Sequence, residues 1–387
     1  MVQKIPASGL ESAGGSFKNI FINGDMRIAQ RAISATTISN LTYQTIDRIG
    51  GMEFTDGTAT LERHSMSDAD EATTGQKFAA LWKCTGTDSS IAADQYAGVY
   101  QHVEAQNLQH LNYGTSAAKD LTLSFWVRSN TTGTYSIGLR KYASTSHYIA
   151  LTYTIDSADT WEKKVIHISP TAGSTSLITG ADGVINDDSA VGFYVYIYTA
   201  LGSNYHTSSP NTWTTSSVYG TSDQPNLMSS TSNNWYITGL QLEVGDTASD
   251  FEYLPFDINL ARCQRYCEVI ADARSVGTGT LSSGDSDENI GAVGALWTTR
   301  YGYVPIRFAT KKRSNAPSLY ITNDTNHFRI YNNTSYDDVS TMTNSGTSSH
   351  HALTLTLNYG SAGWTAGHSA FIRLNNAAAY IMVIDEL

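Results

Sequence analysis

The chain has 387 residues, of which 15% are charged and 41% apolar, and its net charge is −11. That charge argues against a nucleic-acid partner, because phosphate binding needs clustered Lys and Arg. No apolar run approaches the roughly 18 residues that span a bilayer, so the expectation is a soluble chain made in a cytoplasm, without membrane insertion.

The length suggests two or three domains with cores of useful size. Tyr (23) and Gly (31) are abundant, Pro (7) is scarce, and Ser, Thr and Asn fill much of the rest. β-Branched and aromatic residues fit a pleated surface, and Asn, Gly and Ser supply turns. The composition therefore predicts an all-β protein.

In chain order, residues 1–18 are rich in Gly, Ser and Ala and carry almost no periodic apolar pattern. Such a segment cannot bury enough surface to fold alone and is either disordered or ordered by docking on something else. "KNIFINGDMRIAQRA" (18–32) then combines an Asn23-Gly24 turn with alternating apolar residues and is predicted as the first strand. Further runs follow up to Tyr253: "DLTLSFWVRS" (120–129), "GTYSIGLRKY" (133–142), "HYIALTYTI" (147–155), "WEKKVIHIS" (161–169), "VGFYVYIYTAL" (191–201) and "WYITGLQLEV" (235–244). The last is expected to close the sheet beside the first. Gly239 and Gly245 bracket it, Leu240 and Leu242 face a core, and Gln241 and Glu243 face outward. This is the pattern of a jelly-roll β-sandwich over residues 19–255.

"LPFDINLARCQRYCEVI" breaks the pattern with a Pro and a helical turn, placing a boundary near residue 255. Cys263 and Cys267 would share that short helix. With Cys84 they make no disulfide framework, and no CxxC or paired His completes a zinc site, so they read as structural thiols. Residues 256–387 resume strands in "NIGAVGALW", "YVPIRFAT", "PSLYITN", "FRIYNN", "HALTLTLNY" and "AAAYIMVIDEL", predicting a second, smaller β-sandwich. The longest basic run, Lys311 to Arg313, reads as a solvated turn.

Period two assigns faces. Leu121, Leu123, Phe125 and Val127 share one face, opposite Thr122, Ser124, Trp126 and Arg128. Tyr135, Ile137 and Leu139 oppose Ser136, Gly138 and Arg140, and Phe193, Val195 and Ile197 oppose Tyr194, Tyr196 and Tyr198. If these strands lie in one sheet, its second side carries Trp126, Arg128, Arg140, Tyr194, Tyr196 and Tyr198. Sugars stack their C–H faces on such rings and hydrogen-bond to such polar groups. The alternative is that the face packs against another subunit or a long loop.

No catalytic motif is present: there is no GxSxG elbow, HExxH helix, Gly-rich phosphate loop or EF-hand. Carboxylates cluster in "SDADEAT" (67–73), "INDDS" (185–189) and "GDSDEN" (284–289), all read as solvated loops, and the His350-His351 pair gives no metal site. The expectation is a protein without enzymatic activity, cofactor or catalytic residue.

"NIFINGDMRIAQRA", "YQTIDRI", "LTLSFWVRSNTTGTYSIGLR" and "WYITGLQLEVGDTASDFEYLPFDINLARCQRYCE" together resemble a family of bacteriophage virion proteins, the tail fibre and tail spike proteins. The large domain of that family resembles the jelly-roll carbohydrate-binding modules. "YVPIRFATKKRSNAPSLYI" and the closing "IDEL" are similar to the distal domain of the same fibres. The resemblance implies a homotrimer on the virion tail, assembled in the host cytoplasm. Residues 1–18 would then be an attachment peptide to other tail or capsid proteins. The implied task is adsorption to a host surface glycan, with neutral-sugar stacking dominant over charge. The absence of heptads or shaft repeats suggests a stubby appendage. Two alternatives stand beside this: a structural virion component (head fibre, decoration or tail connector), and a polysaccharide depolymerase using carboxylates such as Asp187 and Glu288.

Overall fold

The computed structural model describes residues 17–272, 289–322, 327–331, 336–359, 365–375 and 379–387. Its first module contains β1 (Thr36–Thr37), β2 (Gly50–Phe54), β3 (Thr58–Ser65), β4 (Phe78–Gly86), β5 (Tyr96–Glu104), β6 (Leu121–Ser129), β7 (Gly133–Lys141), β8 (His147–Ile155), β9 (Glu162–Ile168), β10 (Val191–Leu201) and β11 (Asn234–Val244). One sheet has the order β1-β3-β4-β11-β6-β9 and the other β2-β5-β10-β7-β8. Every pairing within them is antiparallel. The chain repeatedly crosses from one sheet to the other, so β6 and β7, adjacent in sequence, lie in opposite layers.

The alternating residues fill the space between the layers. Leu123, Phe125 and Val127 of β6 meet Ile137 and Leu139 of β7 and Phe193, Val195 and Ile197 of β10 in one buried cluster with Trp82, Trp213 and Trp235. Tyr135 joins them, its hydroxyl donating to the Thr131 carbonyl at 2.7 Å, and Trp235 Nε1 donates to the Tyr153 hydroxyl at 3.1 Å. Polar tips are thus satisfied inside an apolar core, where an unmade hydrogen bond would cost about 1–3 kcal/mol.

The opening stretch is not a strand. Residues 17–35 are irregular, yet they run beside β11 as expected: Ile20 N donates to Leu242 O at 2.8 Å, and Leu240 N donates to Gly24 O at 2.9 Å. The reason is the shape of β11. Its register slips between Thr238 and Gln241, where Gly239 takes φ +60°, a left-handed conformation open to glycine at little cost. Gly239 therefore sits inside the strand at a bulge. Asn23 adopts φ 60° and its side chain donates to the carbonyls of Ile28 and Asp47, both at 2.8 Å, pinning the turn. Gln241 and Glu243 do face away from the core, but they are buried, because residues 249–252 fold over them. Glu252 N donates to Gln241 Oε1 at 2.8 Å and Ser249 Oγ to Glu243 Oε2 at 2.6 Å.

After the helix Phe256–Gln264 come β12 (Cys267–Asp272), β13 (Asn289–Leu296), β14 (Tyr301–Arg307), β15 (Ser318–Ile321), β16 (Phe328–Tyr331), β17 (Tyr336–Ser348), β18 (Ala352–Tyr359), β19 (Ser369–Leu374) and β20 (Tyr380–Ile384). The helix begins directly after Pro255. β13-β14-β18-β17-β16-β19 close as a barrel, and β12-β20-β15 form a sheet beside it. The second module is all-β as expected, but its main sheet closes on itself, which leaves no free edge. Cys263 lies in the last turn of the helix while Cys267 begins β12, so the two do not share one helix. All three cysteines are free and buried.

The Lys311–Arg313 run is not a solvated turn. Lys312 is fully buried and its Nζ reaches Glu268 Oε2 at 2.5 Å and the Gln264 carbonyl, while Arg313 Nε donates to the Asp385 carbonyl at 3.0 Å. These contacts belong to a charged joint between the modules. Glu386 pairs with Arg48 and, at 2.6 Å, with Arg31, and Arg48 lies 3.7 Å over the Tyr266 ring. Arg265 grips Glu104 through Nε at 2.6 Å and a second nitrogen at 2.8 Å, and Tyr266 donates to the same carboxylate.

An aromatic groove on the outer face of the five-stranded sheet

The six residues expected to share one surface do not. Trp126 and Arg128 lie on β6 in the six-stranded sheet, whereas Arg140, Tyr194, Tyr196 and Tyr198 lie on β7 and β10 in the other. The face assignments hold, but the two sets sit on opposite outer sides of the sandwich. Period two fixes which side of a strand a residue takes and says nothing about which layer the strand joins.

On the six-stranded side Arg128 is occupied by its own chain. Asp70 stands 3.8 Å away and Asp159 4.0 Å, and the Tyr236 ring lies beneath the guanidinium at 5.5 Å. Asp70 comes from the "SDADEAT" stretch, which is a helix, Asp68–Thr74, capped by the Ser67 side chain accepting from Asp70 N. Trp161 Nε1 also donates to Asp70, at 2.9 Å. Trp126 is half-buried along a groove of about 430 Å³ with Phe251, Tyr253 and Lys163.

The other outer face is built in cross-strand rows. Tyr196 of β10 stands opposite Tyr100 of β5 on one side and Gly138 of β7 on the other. Tyr194 stands between His102 and Arg140, and Tyr148 of β8 follows Arg140 in the same row. Along β10 the Tyr194 and Tyr196 rings are 6.2 Å apart and nearly parallel, and Tyr196 to Tyr198 is again 6.2 Å. Gly138 leaves room for the Tyr219 ring, because a β-carbon there would come within 2.6 Å of it.

Tyr205 and Tyr219 arrive on the long connection between β10 and β11 and stand over the ladder, with Tyr219 edge-on to Tyr196 at 5.6 Å and 5.9 Å from Tyr205. The rings of Tyr96, Tyr196, Tyr198, Tyr205 and Tyr219, with Leu41, Met52 and Ser217, line a groove of about 180 Å³. A long connection does cover part of this face, as one alternative held: Tyr198 is only 4% exposed. It nevertheless belongs to a cluster separate from the Phe125 core.

Two hydroxyls in the groove, of Tyr196 and Tyr198, and that of Tyr194 beside it give this face its chemistry. Those of Tyr194, Tyr196 and Tyr198 make no hydrogen bond to protein among the described residues, and they are not sealed away as the Tyr43 and Tyr113 hydroxyls are. Burial pushes the Tyr196 and Tyr198 phenols up, so both remain neutral donors and acceptors. Tyr96 and Tyr205 are held in place, the first accepting from Asn40 Nδ2 at 3.1 Å and the second donating to the Asp94 carbonyl at 3.2 Å. Flat rings and free hydroxyls in one concave site suit a ligand with both C–H faces and hydroxyl groups.

Among the described residues no group of three or more His, Cys, Asp or Glu is arranged to hold a metal ion, and no helix is long and apolar enough to cross a membrane. Asp187 is exposed on a loop, and Glu288, with most of the "GDSDEN" stretch, lies outside the described residues, as does most of the 1–18 segment.

Comparison with family models gives no match, and comparison with curated proteins gives none either. Among solved structures, the chain is similar to a family 11 carbohydrate-binding module of the cellulosomal cellulase Lic26A-Cel5E of Clostridium thermocellum. Identity is 11%, over 55% of this chain and 96% of that one, with a TM-score of 0.27. It is also similar to the CBM22-1 xylan-binding domain of Paenibacillus barcinonensis Xyn10C, at 8% identity over 57% of this chain and 100% of that one, TM-score 0.27. A third similarity is to the enzymatically active domain of bacteriophage CBA120 tailspike protein 4, at 10% identity over 59% of this chain but 21% of that one, TM-score 0.26. Scores this low assign no function.

Proposed function

We propose that this chain is a non-catalytic glycan-binding protein whose binding site is the tyrosine groove on the five-stranded sheet. The observation that carries it is the set of five tyrosine rings around one groove, next to ladder hydroxyls that make no hydrogen bond among the described residues. A preformed rigid sheet presents these rings at little conformational cost, which favours binding of a flexible saccharide. The 6.2 Å ring spacing along β10 follows from the two-residue repeat of the strand, so the sheet itself sets the distance between neighbouring rings.

The role we assign to this activity is host-surface adsorption by a phage tail fibre, and what supports that part is the resemblance of the sequence motifs to those of the fibre family. A homotrimer held to the virion through residues 1–18 would multiply a shallow site into useful avidity. Trp126 and Arg128 have no part in this groove, since they stand on the other side of the sandwich.

Titration of the intact protein with a panel of oligosaccharides, followed by calorimetry, tests the reading. Binding by the wild type and its weakening in Tyr219→Ala, with Trp126→Ala unaffected, is the expected pattern. Equal binding by wild type and Tyr219→Ala would overturn it. Incubation with host envelope polysaccharide should leave its chain length unchanged, and shortening would replace binding by depolymerase activity.

A further inference from the structure

We infer that the saccharide bound by this groove is acidic, and that Arg140 is the residue that reads its anionic group. This rests on the reading of the groove as a saccharide site. The inference starts from the way the arginines of the chain are used. Arg31, Arg48, Arg128, Arg265, Arg313 and Arg329 each lie against a carboxylate. Arg140, like Arg27, Arg63 and Arg262, forms no ion pair among the described residues, and of these it is the one that stands at the end of the tyrosine ladder.

Its surroundings hold it in place without neutralising it. The guanidinium lies 4.8 Å over the Tyr142 ring, 5.1 Å over Tyr194 and 5.5 Å over Tyr148. Nε and one terminal nitrogen both donate to Ser146 Oγ, at 3.2 and 3.0 Å. The other terminal nitrogen makes no hydrogen bond among the described residues. Ring faces attract the cation and fix its plane, while a single hydroxyl satisfies one edge. What remains is a planar pair of N–H donors on the terminal nitrogens, a geometry that takes a carboxylate or another oxyanion in two hydrogen bonds.

Position links this group to the groove. Arg140 is the cross-strand partner of Tyr194, whose ring is one ladder step from Tyr196, and Tyr196 lines the groove. Tyr148 also touches Tyr219, ring to ring at 5.5 Å, so the aromatic cage around Arg140 and the wall of the groove are continuous. A saccharide stacked along β10 would therefore carry the substituent of its neighbouring unit to the guanidinium. The net charge of −11 repels anions at long range, so the preference comes from contact at Arg140 and not from steering.

The test compares oligomers of glucuronate, galacturonate and mannuronate with their carboxyl-reduced counterparts, which keep the sugar and remove the charge. Calorimetric titrations use the full-length wild type, Arg140→Gln, Arg140→Lys and Tyr219→Ala, each checked for an unchanged thermal unfolding midpoint. At least one acidic oligomer should bind the wild type about 10-fold more tightly than its reduced form, as a charge-assisted hydrogen-bonded contact provides. Arg140→Gln should erase that ratio while still binding the reduced form, Arg140→Lys should keep part of it, and Tyr219→Ala should weaken both forms together. Equal binding of acidic and reduced forms by the wild type would overturn the acidic preference and leave the groove a neutral-sugar site. A preference that persists in Arg140→Gln would overturn the role of Arg140, and no binding of any oligomer would sink the saccharide reading itself.

Discussion

Phe125 and Tyr196, on strands of different sheets, show how the inner and outer faces of a strand separate stability from recognition. Phe125 is fully buried in the main core, so Phe125→Ala should cost about 3–5 kcal/mol in chemical denaturation. Tyr219 stands half-buried on a loop over the ladder, and its loss removes stacking worth about 0.5–1.5 kcal/mol. Tyr219→Ala should thus weaken oligosaccharide binding about 3- to 10-fold and leave the unfolding midpoint nearly unmoved. At this scale the ladder was readable from sequence: alternation alone put Tyr194, Tyr196 and Tyr198 opposite Phe193, Val195 and Ile197. Tyr96, Tyr205 and Tyr219 were not, because they come from distant segments and no local periodicity marks a ring that only the fold brings near. The same limit explains Lys312, read as solvated. Its partner Glu268 is 44 residues away, and nothing in "KKR" announces it.

Strands with one wet and one dry face announce themselves, and β6, β7, β8 and β10 were legible within about two residues. β5 was not. From Ala97 to Glu104 every residue is buried, because the strand is covered on both faces, and the sequence "YAGVYQHVE" then shows no alternation to read. The opening stretch failed for another reason. Its alternating apolar residues satisfy the bulge of β11 from an irregular path, and a pattern of period two cannot separate that from a strand. The loop that carries Tyr219 depends on Gly138 beneath it. Gly138→Ala would bring a β-carbon to 2.6 Å from the Tyr219 ring, so the loop must lift. The expected cost is about 1–3 kcal/mol, together with weaker oligosaccharide binding, checked by thermal unfolding and titration on the same preparation.

The whole molecule is held together by charge at the joint. Arg48 is buried against Glu386, Tyr266 and the His102 carbonyl, so Arg48→Met leaves the Glu386 carboxylate with one partner fewer. A loss of about 3–5 kcal/mol is expected, with the sandwich and barrel unfolding in two steps in urea where the wild type unfolds in one. The joint is also acid-sensitive. Burial lowers the His102 imidazole to about 3, with the Leu387 carbonyl opposing and Arg48 assisting, so it stays neutral when folded. The unfolded chain binds that proton near 6.5, and stability is therefore lost as pH falls from about 6.5 towards 3. Glu104 acts in the same direction: burial raises it, but Arg265, Tyr266 and Gln106 outweigh burial and hold it low, so its contribution disappears as pH falls through that depressed value. Asp47, raised by burial against Arg31 and Gln30, acts the opposite way. His102→Gln should accordingly flatten the fall in unfolding midpoint between pH 6.5 and 5, by comparison with the wild type across the same buffers.

The most direct measurement is a crystal structure of the full chain with the oligosaccharide that binds it most tightly. Sugar rings should lie over Tyr196 and Tyr219, with hydroxyls hydrogen-bonded to the free phenols of the β10 ladder. Density against Trp126 and Tyr253 on the opposite sheet, with the tyrosine groove left open, would contradict the account.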